Sequence, residues 1–183
     1  VNLANLLFER RADYRGALDL LERSLAIHQR LGSAHDISEV LYRRALAKYQ
    51  MGEVGGAVSD WTAAAVSYND AGDWGGELRA LQQIAVVDAN AGNYRSAIER
   101  LEHIVSQLPE HEDPNLLARC LDVLGTSYRQ LGRAEDALAA FAAGLAVHRQ
   151  LGDQYHAAES LRGDERAARA AARRKQARLL AAR

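Results

Sequence analysis

Glycine recurs at a fixed interval in this chain, and that interval restricts the possible folds more than any other feature. Gly32, Gly52, Gly72, Gly92, Gly132 and Gly152 occupy every twentieth position, with one gap where Glu112 stands in the expected place. A fixed internal period is the mark of a repeat architecture, in which each unit buries its apolar face against the next. The interval suits one helix and one tight turn, since about 17 helical residues span roughly 26 Å. Glycine is suited to the position just past a helix end because it adopts the left-handed conformation without a Cβ clash. Each of the six is therefore expected to stop a helix.

A second period, twice as long, lies over the first. Ala17, Ala57, Ala97 and Ala137 fall in register, as do the bulky Leu21, Trp61, Leu101 and Phe141, and again Leu41, Leu81 and Leu121. Alternate helices thus have distinct roles, and a small residue at the alanine positions lets two helices approach closely. The repeating unit is an antiparallel pair, A then B. A helices are expected near 1–11, 34–50, 74–90 and 114–130, and B helices near 14–30, 54–70, 94–107 and 134–150. Composition agrees, because 35 alanines and 25 leucines against two prolines favour helix over sheet. The expected fold class is all-α, an α-solenoid of four to five helix pairs with a terminal helix.

Both prolines fall in Leu108-Pro109-Glu110-His111-Glu112-Asp113-Pro114, where the glycine is missing. Proline stops one helix and is accepted in the first turn of the next, so a longer, acidic elbow is expected here. From Gly163 onward the composition shifts to Ala and Arg, which divides the chain into a repeat domain, 1–162, and a basic helix, 163–183. The chain opens at Val1 with a helical pattern under way at Leu3, so it reads as a piece of a longer protein. Its 21 Arg against 2 Lys, with abundant Ala, suit a GC-rich, bacterial genome.

The unit around Leu121, Leu124, Gly125, Tyr128, Leu131, Gly132, Arg133, Ala137, Leu138 and Phe141 ends in Leu145-Ala146-Val147-His148-Arg149-Gln150-Leu151-Gly152-Asp153, echoed by Leu25-Ala26-Ile27-His28-Gln29-Arg30-Leu31-Gly32. This resembles the tetratricopeptide repeat in a variant whose unit is longer than the usual length of about 34 residues, as in the C-terminal arms of actinobacterial regulators of the AfsR and NB-ARC (STAND ATPase) type. Kinesin light chain repeats are a more distant likeness. The resemblance covers residues 3 to about 161. It implies a concave face lined mainly by A helices, which binds extended peptides or partner helices. Carrying over the inward-facing register selects Tyr42, Arg43, Leu46, Tyr49 and Gln50 in the second unit, then Arg79, Gln82, Gln83, Val86 and Asn90. The fourth unit adds Arg119, Asp122, Thr126, Arg129 and Gln130. Amides, guanidinium groups and tyrosines of this kind can hydrogen-bond a peptide backbone, pair with carboxylates and bury an apolar anchor. An ordinary solvated helix face has the same composition. The implied partner is a protein or peptide, anionic where Arg79, Arg119 and Arg129 meet it, or a further domain of the longer protein.

The second unit departs from the pattern, carrying Arg44 and Lys48 where the fourth has Leu124 and Tyr128, and the third carries Asp88 in place of the tyrosine. Charges at packing positions must pair or reach water. One expectation is a Lys48–Asp88 contact; the other is that both side chains snorkel outward.

Signatures of catalysis are missing. No phosphate-binding loop, dinucleotide fingerprint, H-E-x-x-H or G-x-S-x-G occurs, and Gly55-Gly56 and Gly75-Gly76 read as turn punctuation at helix starts. No pair among His28, His35, His103, His111, His148 and His156 shows ligand spacing on one helix face, and His28 and His148 share a repeat register. No metal and no cofactor are expected. Cys120, the single cysteine, excludes an internal disulfide framework and reads as a small packing residue. No apolar run approaches the roughly 18 residues that cross a bilayer, and a cytoplasmic location with no membrane partner is expected.

The net charge of −1 conceals an asymmetry. Residues 164–183 carry seven basic and two acidic groups, +5, which leaves 16 basic and 22 acidic, −6, on residues 1–163. Nucleic-acid binding by the repeats is thereby disfavoured. The tail could cap the helix stack, contact nucleic acid or an acidic partner, or lie on a membrane surface, though no Trp or Phe anchors it. The function these readings favour is non-catalytic: a peptide- or protein-binding sensor or regulatory arm of a larger bacterial signalling or transcription-regulator protein. A peptide-pheromone sensor and a purely architectural scaffold are the alternatives.

Overall fold

The computed structural model describes residues 14–108 and 113–181, with side chains described as far as residue 173. The expected first A helix and most of the acidic elbow lie outside the described residues. The described residues form eight helices, in order α1 (Tyr14–Leu31), α2 (Ala34–Gln50), α3 (Val54–Asp70), α4 (Trp74–Asn90), α5 (Tyr94–Gln107), α6 (Pro114–Gln130), α7 (Ala134–Gln150) and α8 (Gln154–Ala181). No strand occurs among the described residues. The chain divides into two compact units between Val87 and Asp88.

Every periodic glycine sits in the left-handed region, with φ between 68° at Gly32 and 83° at Gly92. The reversal lets the next amide reach back over the helix end. Glu53 N donates to Lys48 O at 2.9 Å, Asp73 N to Tyr68 O at 2.9 Å, and Arg133 N to Tyr128 O at 2.8 Å. These bonds satisfy carbonyls that a helix end otherwise leaves unpaired. Where the glycine is missing, a different device starts the next helix: Asp113 accepts from Leu116 N at 2.9 Å, and Pro114 occupies the first helical turn.

The glycines separate into two physical classes. A Cβ at Gly132 would meet nothing within 4 Å, so its φ of 74° is the whole constraint. Gly132→Ala is expected to cost about 1–2 kcal/mol through left-handed strain and to lower Tm. Gly55→Ala, in equally open space at an ordinary helical φ, is expected to raise stability by about 0.4–1 kcal/mol. Thermal unfolding of the two variants beside the parent checks the pair of opposite signs.

In the first unit α1, α2 and α3 pack in succession. Leu21, Leu25, Val40, Leu41, Ala64, Ala65, Tyr68 and Ala80 form one core cluster, and Trp61 lies in a second with Ala45, Ala57, Ile84 and Val87. In the second unit α5 packs on α6, α6 on α7, and α7 on α8. The four in-register alanines are wholly buried, and Leu21, Trp61, Leu101 and Phe141 are all core residues.

Three glycines outside the periodic series, Gly76, Gly125 and Gly163, serve close packing. Gly76 reads from sequence as punctuation, yet a Cβ there would stand 2.3 Å from the Tyr68 ring, so the gap is filled by an aromatic side chain of the preceding helix. Gly163 lies within α8, which runs unbroken across it, and a Cβ there would stand 2.5 Å from the Phe141 ring. Ser160 and Ala167 of the same helix are buried.

Candidate functional site

The residues expected to face a ligand fall in both units. In the first, Tyr42 and Tyr49 on α2 are half-buried and rest on the cluster around Trp61, with Tyr49 and Trp61 ring centroids 5.7 Å apart at 52°. Gln83 on α4 donates to Tyr42 Oη at 3.2 Å, which joins adjacent A helices through two expected site residues. Arg43 is held by Glu39 one turn earlier at 3.1 Å, and the same carboxylate accepts from Tyr68 Oη at 2.7 Å. Burial, then Glu39, pushes the Tyr68 phenol well above its ordinary pKa. Gln82 is only 1% exposed, so its amide lies inside the unit. Arg79 is half-buried, and Gln50 is exposed at the end of α2.

The charged positions of α2 resolve into a buried ion cluster. Asp60 on α3 accepts two hydrogen bonds from Arg44, Nε–Oδ2 at 2.7 Å and Nη2–Oδ1 at 2.6 Å, and one from Lys48 Nζ at 2.8 Å. The expected Lys48–Asp88 pair is thus replaced by a pairing across the A and B helices of one repeat. Asp88 instead accepts from Ser96 at 2.9 Å and faces Arg100 at 3.7 Å. The reason is reach: Asp60, next to Trp61 on the buried face of α3, stands where it can answer both cations at once.

In the second unit Asn90, Arg119 and Thr126 are exposed, and Asp122 and Arg129 are half-buried. Asp122, Thr126 and Arg129 line a cleft of about 200 Å³ with Phe141, Glu159, Ser160, Gly163 and Arg166. One wall of this cleft is α8, whose Ala/Arg-rich composition begins at Gly163. Arg129 Nε is buried there without a hydrogen-bond partner. A guanidinium so placed is a donor awaiting an acceptor, with a second cation, Arg166, at the same cleft.

Asp122 also anchors a buried network. Its Oδ1 accepts from Ser160 Oγ at 2.5 Å, and its Oδ2 lies 2.8 Å from His148 Nε2, with His148 only 3% exposed. The carboxylate stands between the hydroxyl and the imidazole, so the imidazole does not face Ser160 as a base would in a nucleophilic triad. Across the turn at Gly152, His156 Nδ1 is 2.6 Å from Asp153 Oδ2, and the His148 and His156 rings stack at 5.3 Å and 20°. Hydrogen bonds from the His156 backbone and then its side chain hold the Asp153 carboxyl below its ordinary pKa. Spacing on a single helix face does not reveal this group. Its sequence signal is a histidine four positions before a turn glycine and another four positions after it.

Cys120 is fully buried on α6, and burial pushes its thiol up to about 12, away from nucleophilic character. Among the described residues no helix is long and apolar enough to cross a membrane.

The sequence profile of the tetratricopeptide repeat matches residues 1–31 and 117–151. No curated protein matches the chain. Among solved structures it is similar to the nearly identical TPR-like repeats of a kinesin light chain from Podosopora anserina, at 20% identity over 98% of this chain and 88% of that one, with a TM-score of 0.71. A point variant of that protein gives the same identity and coverage with a TM-score of 0.72. BtubC (BKLC) from P. vanneervenii is similar at 17% identity over 84% of this chain and 63% of that one, with a TM-score of 0.71. Repeat-profile matches in two separate stretches of the chain and a shared all-helical architecture make this a TPR-like helical solenoid, with helices paired by glycine turns.

Proposed function

We propose that this chain is a non-catalytic protein- or peptide-binding module whose ligand presents carboxylates, and that it serves as the sensor or regulatory arm of a larger bacterial signalling protein. The observation that carries this reading is the cleft of the second unit, where Arg129 offers a buried, unpartnered Nε beside Arg166 and Thr126. The cleft is small, and its size suits one acidic side chain or a C-terminal carboxylate better than a drug-sized ligand. In the first unit Tyr42 and Tyr49 provide flat apolar surface on a rigid base, the kind of residue that anchors a peptide at low entropic cost.

The test is titration of glutamate-rich and neutral peptides of equal length against the chain at low and high salt. Arg129→Ala is expected to weaken binding of the acidic peptide about tenfold or more, the value of a hydrogen bond to a charged group. Replacing Arg79, Arg119 and Arg129 together is expected also to flatten the salt dependence. If the triple variant binds as tightly and with the same salt dependence, the reading is wrong. Deleting the tail after Gly163 is a poor control, because Ala167 is fully buried. Charge reversal at exposed Arg169 and Arg173 addresses the tail without disturbing that packing.

A further inference from the structure

The turn between α7 and α8 brings three potential metal ligands together, and one of them is already set for the task. His148 is 3% exposed, and its Nδ1 is buried without a hydrogen-bond partner. Its other nitrogen, Nε2, lies 2.8 Å from Asp122, itself held by Ser160. A carboxylate at that distance takes the Nε2 proton as its hydrogen bond and leaves Nδ1 as a bare lone pair, the tautomer a metal requires. Nδ1 lies 4.0 Å from Asp153 Oδ2, which is 2.6 Å from His156 Nδ1. One donor atom from each of His148, Asp153 and His156 lies within 4.8 Å of the others.

We propose that His148, Asp153 and His156 form a binding site for a borderline divalent transition metal of the zinc class. Two imidazoles and one carboxylate suit such an ion, whereas calcium and magnesium prefer all-oxygen sets. Donors around tetrahedral zinc, about 2.0–2.2 Å from the ion, stand roughly 3.3–3.6 Å apart, so the widest gap must close by roughly an ångström while the 2.6 Å Asp153–His156 pair opens. His156 supplies that movement: its side chain is 49% exposed, and its ring turns out of the stack with His148. Its Nδ1 proton, now directed at Asp153, moves to Nε2 of the same ring, so neutral imidazole is conserved. Three protein ligands leave a coordination position open toward water. The ion ties α7 to the first turn of α8, and through Asp122 it adjoins the cleft. The site does not rest on the peptide-binding reading.

The first unit contains its own control. In the same repeat register His148, Asp153 and His156 are replaced by His28, Ser33 and Asp36. There His28 Nδ1 faces Asp36 at 3.4 Å, and Ser33 donates to Asp36 at 2.5 Å. A serine in place of the central carboxylate leaves a hydrogen-bonded pair with no third strong ligand.

The experiment titrates tag-free full chain with Zn²⁺ by calorimetry and with Co²⁺ by visible absorption. One equivalent of Zn²⁺ is expected to bind and to raise Tm, and Co²⁺ is expected to show the intense d–d bands of a tetrahedral site. His156→Ala, at an exposed position, and Asp153→Asn, which retains helix capping, are expected to lose more affinity than the roughly 10–100-fold that removing a hydrogen-bond partner of a metal ligand costs. Asp122→Asn is expected to fall in that smaller range, and His28→Ala is expected to change nothing. Binding that His156→Ala and Asp153→Asn leave unaltered, or Co²⁺ that keeps the weak octahedral spectrum, overturns the proposal.

Discussion

Asp60→Ala is expected to destabilise the first unit by about 3 kcal/mol, the lower end of the cost of leaving buried charges without their partner. The variant removes one small side chain but strands two cations, because Arg44 and Lys48 both close on that carboxylate and its exposure is 4%. Burial alone would push the Asp60 carboxyl up, yet the hydrogen bonds from Arg44 and Lys48 outweigh it and hold its pKa below the ordinary value. A carboxyl with a lowered folded pKa contributes stability that is complete above its unfolded value, about 3.9, and fades as pH falls through the folded one. The parent is therefore expected to lose stability between the two values, while Asp60→Ala shows a flatter acid limb. Denaturant unfolding at neutral pH and near pH 3 checks both statements. A simultaneous change of all three residues to an apolar set should recover much of the loss, because the cluster's cost lies in desolvation.

Trp61→Ala is expected to cost about 3–5 kcal/mol. The indole is wholly buried, and it supports Ile84 and Val87 on α4 as well as Tyr42, Leu46 and Tyr49 on α2. Ala45 and Ala57 flank it and are too short to fill the volume. Trp61→Phe should cost much less. The indole Nε1 is buried without a partner, so losing it removes an unmet donor along with some volume. Because Tyr42 and Tyr49 rest on this ring, Trp61→Ala should also weaken peptide binding by more than Trp61→Phe does. Unfolding free energies and peptide titration on the same two proteins separate packing from contact.

Much of this molecule is legible in its residues because its signals are local. A glycine at a helix end needs only a positive φ, which depends on its immediate neighbours, and six glycines at one spacing place α1–α4, α6 and α7 within a residue or so of expectation. The buried alanines and the Leu21, Trp61, Leu101 and Phe141 series are likewise a matter of register. Misreadings begin where a residue answers to a partner on another helix. Gly76 is a turn signal in sequence and a seat for Tyr68 in space. Lys48 and Asp88 each have another partner, and Gln82 lies inside where register places it on the surface.

The candidate sites show the same division. Asp122, Thr126 and Arg129 are identifiable from their register on an A helix, but the opposite wall of their cleft belongs to α8, whose Arg-rich composition suggests a separate tail. Phe141 locks that helix against α7 by packing on Gly163, a contact between two helices that no local pattern encodes. His148 reads as repeat consensus; its pairing with His156 needs the turn at Gly152 to fold two helices back on each other. Helix identity, length and apolar face follow from the chain's own periodicity, because backbone strain and hydrophobic register act over short stretches of chain. Which charges cancel, which ring seats on which glycine and which imidazoles meet follow from tertiary structure, because only packed helices set the distances between side chains that lie on different helices.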